Sequence, residues 1–270
     1  MPSLDGALQR TLYSRKSWDR FLKAFDKINS TVKQKFIKRY GLFREDLNEQ
    51  TIQELVDYAY SLSAKYGEAA AALAAEMYDD AAIASGMALA PADPAAVATY
   101  HEVNSALRSA LEFSQNAEYL GATVSRLTKR AAADTTLQNA RRDNAQLAWV
   151  SRGDTCAYCI ALASRGWSWA TNEKTVGTHA AHIHGNCDCM YAVRFDNRST
   201  VAGYSPEQYK KMYDNAPLEE GQAPTSKNKI NAMRRQFYKK NKDEINAQKR
   251  DAYEKRKEIE SSKAEEADIT

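Results

Sequence analysis

Apolar residues recur at three- and four-residue intervals through most of the first 150 residues, and that period allows little except packed helices. In SWDRFLKAFDKINSTVKQKFIKRYG, Trp18, Phe21, Phe25, Ile28, Val32 and Phe36 draw one apolar stripe, and Gly41 is placed to end the helix that carries it. Thr51 and Glu54 have the spacing of a capping box. Behind them Leu55, Ala59, Leu62, Tyr66, Ala69, Leu73 and Met77 hold helical period as far as Gly86, with enough alanine to let a partner helix come close. LAPADPAA, with two prolines, breaks the pattern. Tyr100, Val103, Leu107 and Leu111 open a second helical block, which Leu120, Val124, Leu127, Leu137, Leu147 and Val150 continue. Arg141, Arg142 and Asp143 fall between apolar positions and are expected on solvated faces.

The pattern changes after residue 150. Asp154 or Thr155 can cap a short helix carrying Ile160 and Leu162, which Gly166 would end. GWSWATNE and CMYAVRFD read as strands, because Tyr191, Val193 and Phe195 alternate with Met190, Ala192 and Arg194. A loop-rich stretch with a helix near Tyr209 leads to a repeat. INAMRRQFYKKNKDE is followed at once by INAQKRDAYEKRKEI, and Ile, Asn, Ala, Arg, Tyr and two Lys recur in register. Duplication of this unit predicts one long charged helix with too little apolar surface for a core of its own. The expected fold is mainly α. A helical domain spans 1–150, a small α+β cysteine-rich zinc module 151–197, a linker 198–228 and a charged helical tail 229–270.

All four cysteines sit in two short strings, GDTCAYCIALASRGW and HIHGNCDC. The amino terminus lacks the apolar core of a secretory signal, and no run of about 18 apolar residues could span a membrane, so a reducing compartment and thiols rather than disulfides are expected. Cysteines placed by accident in a core would scatter; these cluster, which points to metal. Cys156 and Cys159, three apart in the first turn of a helix, share a face, and Cys187 and Cys189, two apart in a strand, do the same. Four sulfurs suffice for a closed tetrahedral Zn²⁺ site, in which His184 can replace one thiolate; His179 and His182 are further candidates. The alternatives are reduced thiols in a small core, disulfides or a catalytic metal. Residues 153–196 hold few large aliphatics, so coordination worth on the order of 10 kcal/mol is expected to stand in for a core there.

The net charge of +3 is unevenly spread. Residues 227–257 hold 12 Lys/Arg against 4 Asp/Glu, residues 258–268 hold 1 against 5, and the remainder holds 25 against 26. Nucleic-acid affinity is therefore sought first in the tail, where Tyr238 and Tyr253 interleave with Arg234, Arg235, Lys239, Lys240, Lys249 and Arg250. Such residues can contact phosphates and stack on bases. A helix that packs on a partner protein, or a merely solubilising one, is the competing reading.

The cysteine strings also resemble the signature near the end of the head-morphogenesis domain of phage minor capsid proteins, the Mu gpF-like family. Its Asp-x-Cys-x-x-Cys and His-Pro-x-Cys-x-Cys elements correspond to Asp154, Cys156, Cys159, His184, Cys187 and Cys189, with Gly185 where that family has proline. AYSLSAKYGEAAAALAAEMYD through PADPAA is similar to a subgroup from phages and prophages of Gram-positive bacteria. The resemblance implies a virion protein of the phage head, made in the host cytoplasm, with the portal or major capsid protein as partner and double-stranded DNA as a second partner through the tail. It implies no enzyme. A His-Asn-His nuclease would need a second metal-binding histidine after Asn186, and a zinc deaminase a His-x-Glu; neither is present, and no P-loop or nucleophile elbow occurs. The alternatives are a zinc-containing DNA-binding protein unconnected with capsids and a His-Asn-His-like nuclease.

Overall fold

The structure is a computed structural model that describes residues 11–13, 15–151, 155–172, 189–201, 203–243, 246, 247, 250 and 254. Four helices make the larger part: α1 (Arg15–Tyr40), α2 (Glu49–Ala84), α3 (Tyr100–Phe113) and α4 (Ala117–Arg142). They are followed by β2 (Gln146–Val150), α5 (Ala157–Ala163), β3 (Ser168–Trp169), β4 (Met190–Arg194), β5 (Thr200–Val201), α6 (Pro206–Asp214) and α7 (Ser226–Lys240). A short β1 (Thr11–Tyr13) pairs in parallel with β5, while β3, β2 and β4 form an antiparallel sheet with β2 at its centre. Among the described residues the chain is therefore mainly helical with a small sheet.

The stripe on α1 is buried at Trp18, Phe21, Phe25, Val32 and Phe36, and the helix stops one residue before Gly41. The cap of α2 lies three residues earlier than the sequence suggested. Asn48 accepts the Thr51 N–H at 3.1 Å, and the Thr51 hydroxyl in turn accepts the Asn48 N–H at 2.9 Å, so Thr51 closes the box from inside the helix. Between the turn at Gly86 and Thr99 the chain forms neither helix nor strand, and side chains of the neighbouring helices supply it with hydrogen bonds. Asp79 accepts from the Ala92 N–H, Asn139 from Asp93 and Thr135 from Ala95, while Asn139 Nδ2 donates back to the Asp93 carbonyl. This satisfies backbone polar groups that no ladder serves and explains why Thr135 and Asn139 are buried in α4. The strap lies so close that a Cβ on Gly67 would meet Val97 Cγ1 at 2.9 Å.

Two cores divide the bundle. The distal one takes Val32, Phe36 and Tyr40 of α1, Leu55, Val56 and Leu62 of α2, Val103 and Leu107 of α3, and Leu120, Val124 and Leu127 of α4. The proximal one joins Trp18, Phe21, Leu22 and Phe25 to an alanine-rich part of α2 and α4, and then to Leu147, Ala148, Trp149 and Val150 of β2 and Met190 to Val193 of β4. With 14 residues α3 reaches about 21 Å, against about 54 Å for α2, so it covers only the distal half. The sheet takes the place of a fourth helix in the other half.

Several sequence expectations are corrected here. Leu147 and Val150 do not continue a helix: α4 ends at Arg142, Asn144 turns the chain with a left-handed φ of 51°, and both residues lie on β2. The strands do not alternate, since β2 is buried at every position and β4 at its first four, consistent with helices packed against the sheet. The described residues of the 151–197 region do not stand apart from the bundle but pack into its core. Asp143 is not solvated either. It accepts from the Tyr78 hydroxyl at 2.8 Å and from Arg142 at 2.8 Å, and its side chain is 9% exposed.

Candidate functional site

Three of the four cysteines belong to the proximal core. Cys159 is buried in it, and Cys156 and Cys189 pack against its edge half-buried. Local structure explains the placement. Cys156, rather than Asp154 or Thr155, is the N-cap of α5, and its Sγ accepts the Cys159 N–H at 3.4 Å. A helix N-terminus favours negative charge, so this position suits a thiolate. Val150 of β2 pairs with Met190 of β4, which sets the next residue of one strand opposite the preceding residue of the other: the Cys189 thiol donates to Ser151 Oγ at 3.5 Å. Cys189 thus stands just before the strand, not within it.

Tyr209 of α6, which was not among the expected site residues, joins these pieces. Its hydroxyl donates to the Ser151 carbonyl at 3.1 Å and also interacts with the Thr155 side chain. Burial, and after it the nearby Cys189, raises the Tyr209 phenol above its usual range. Tyr204 donates to the Ala163 carbonyl at 3.1 Å and closes the other end of α5. The one legible signal for Tyr209 was its place on a short amphipathic helix.

None of Cys156, Cys159 and Cys189 is bridged to another of the three. Sulfur donors, one of them held by a backbone N–H, are the donor chemistry that Zn²⁺ takes. However, among the described residues no three His, Cys, Asp or Glu side chains come together as a ligand group. Cys187, His184, His179 and His182 lie outside the described residues.

The tail departs from expectation in two ways. Its described helix α7 begins at Ser226, inside the expected linker, and is capped at Asn241, whose N–H donates to the Phe237 carbonyl at 3.1 Å. Beyond this cap Lys242, Asp243, Asn246, Ala247, Arg250 and Glu254 are again helical. Helix α7 is also anchored: Met233 is buried with Ala157 and Ile160 of α5 and Ala216, and Ile230, Tyr209 and Tyr213 pack around them. The cysteine-bearing helix is thus held between the bundle core and the tail. Arg234, Arg235, Tyr238, Lys239 and Lys240 are all exposed, as is Arg250; Lys249 and Tyr253 lie outside the described residues. Arg235 is engaged by Glu219 at 3.4 Å. Arg234, Arg235 and Tyr238 share the face turned away from Met233.

With this arrangement in view, the sequence profile of the VG15 protein family matches residues 13–216. The chain belongs to the VG15 protein family. VG15 is a family of viral proteins, which makes this a phage-related chain. The match takes in the bundle, the sheet, the cysteine region and α6, and it ends before α7 begins. No curated protein and no solved structure matches the chain. Among the described residues no helix is long and apolar enough to cross a membrane.

Proposed function

We propose that the chain is a minor head protein of a phage, acting in head morphogenesis beside the portal or major capsid protein and in contact with packaged DNA. The observation that carries this reading is the VG15 match over the region in which the Asp154, Cys156, Cys159, His184, Cys187 and Cys189 pattern, similar to that of Mu gpF-like head proteins, occurs. In this reading Cys156, Cys159 and Cys189, with Cys187 or His184, hold a Zn²⁺ that supplies a redox-inert cross-link. The role of the chain's own groups is structural. The Cys159 N–H steadies the Cys156 sulfur, and Ser151 and Tyr209 position the start of β4 against α5. A closed four-ligand site leaves no position for a substrate, so the reading is of a scaffold and not of an enzyme. The exposed cations of α7 provide sequence-independent contacts to DNA phosphates.

Mass spectrometry of purified particles tests the role: peptides of this chain should be present in heads at lower copy than the major capsid protein. Presence in infected cells with absence from particles overturns it. Metal analysis of the full chain, purified without chelator, should find about one zinc per chain, and less than about a tenth of an equivalent removes the zinc from the reading.

A further inference from the structure

The part of the chain outside the tail is nearly neutral in sum but not in space. Helix α1 carries nine Lys/Arg against two Asp/Glu, a net of +7, while α2 carries one Lys against seven Asp/Glu. Two of the α1 cations are engaged with neighbouring helices, Lys33 with Glu118 at 2.7 Å and Arg39 with Glu54 at 3.4 Å. Arg20, Lys23, Lys27, Lys35 and Lys38 are exposed, and among the described residues their charged groups meet no acidic partner. At roughly 100° per residue these five fall within about 120° of one another around the helix, and Arg20 and Lys38, 18 residues apart, coincide in direction. The stripe is about 27 Å long. Asp19 and Asp26 lie to one side of it, about 100–120° round from Arg20.

We propose that this face of α1 is a second phosphate-binding surface, which grips the backbone of duplex DNA independently of the tail. The proposal rests on the reading of the chain as a DNA-associated head component and names a surface for it within the VG15 match. The composition of the stripe selects the partner. The residues between the cations are Ala24, Thr31 and Gln34, with no aromatic or large aliphatic side chain among them. Protein interfaces are built around apolar and aromatic anchors and are poor in lysine, whereas sequence-independent phosphate contact needs only cations at the right reach. A length of about 27 Å approaches the 34 Å of one duplex turn. The acidic residues gathered on α2 repel the duplex from that side and leave α1 as the face it meets.

The test is a salt titration of binding to random-sequence duplex, by fluorescence anisotropy, with full-length protein, K23A/K27A/K38A and R234A/R235A/K239A. The substituted α1 residues are exposed and alanine favours helix, so circular dichroism should be unchanged. The α1 variant should bind at least about tenfold more weakly at low salt, and the slope of log affinity against log salt should fall by about 2.7, close to 0.9 for each lost phosphate contact. An α1 variant with the affinity and slope of the parent, beside a tail variant that has lost binding, overturns the proposal and leaves the tail reading standing. A parent that binds no duplex at about 50 mM salt overturns both. Self-association of the parent that K23A/K27A/K38A abolishes, with no duplex binding, assigns the stripe to the acidic face of a second copy and overturns it too.

Discussion

The two halves of the bundle are built on different plans. The distal half is closed by helices alone, with Leu, Val and Phe from α1, α2, α3 and α4 meeting in one core. The proximal half has no fourth helix. Ala70, Ala74, Ala81, Ala132, Ala133 and Ala140 keep α2 and α4 close, and the volume left over is filled by β2, β4 and the inner side of α5. Beside Trp18, Phe21 and Phe25 of α1, the large side chains of the proximal core therefore come from beyond α4: Leu147, Trp149, Tyr191 and Val193. The cysteine region is therefore not attached to the bundle but is a wall of it, so a change at the cysteines should be felt in α2 and α4.

The largest effects should come from emptying either core. Leu147→Ala and Leu120→Ala, both at buried sites, should each cost about 2–5 kcal/mol in urea unfolding. If the halves are as different as their composition, Leu147→Ala should also loosen the sheet while Leu120→Ala leaves it closed. Equal effects on the sheet would erase the distinction.

Removing residues 226–270 should come next. It takes Met233 from the outer side of α5, and a buried side chain of this kind contributes about 1.5–3 kcal/mol. Stopping after Asn241 should cost less than about 0.5 kcal/mol, because the anchored repeat unit is kept. Equal stability of the two truncations would show that α7 does not support the cysteine helix.

The polar link between α2 and the end of α4 gives a smaller effect with a pH signature. Asp143→Asn weakens bonds to Tyr78 and Arg142 and should cost about 1–2 kcal/mol at pH 7. The Arg142 guanidinium, and after it the Tyr78 hydroxyl, holds the Asp143 carboxyl below the usual range. A lowered folded-state value means that its stabilisation is complete above the unfolded value of about 3.9 and is lost as pH falls through the folded one. The parent and the variant should therefore differ in stability at pH 7 and converge in acid, as urea melts across that range would show.

What the sequence made legible follows the same division. The distal half is written in local periodicity, so Val32, Phe36, Val103, Leu107, Leu120 and Val124 could be read directly as core. The proximal half depends on contacts distant in sequence. Leu147 and Val150 sit three apart and mimic a helical stripe, and only the left-handed Asn144 and the partner strand 40 residues on reveal a sheet. Asp143 reads as solvated until Tyr78, 65 residues away, is brought to it. At the cysteines, spacing was enough to set Cys156 and Cys159 at the start of one helix, but nothing in it signalled that Ser151 and Tyr209 would pack beside them. The sparse apolar residues of the first repeat are too few for a core of their own, and their anchoring is invisible in the sequence because the surface that receives Met233 belongs to α5.

Hydrogen exchange on full-length Leu147→Ala, followed by mass spectrometry of its peptides, tests most directly whether the cysteine region is a wall of the bundle. Protection should fall together in β2, β4, α5 and the proximal stretches 70–82 and 131–140, while 55–62, 103–110 and 120–127 keep the protection of the parent. Loss confined to residues 146–201, with both stretches of α2 and α4 as protected as before, would contradict the account and restore a separate module.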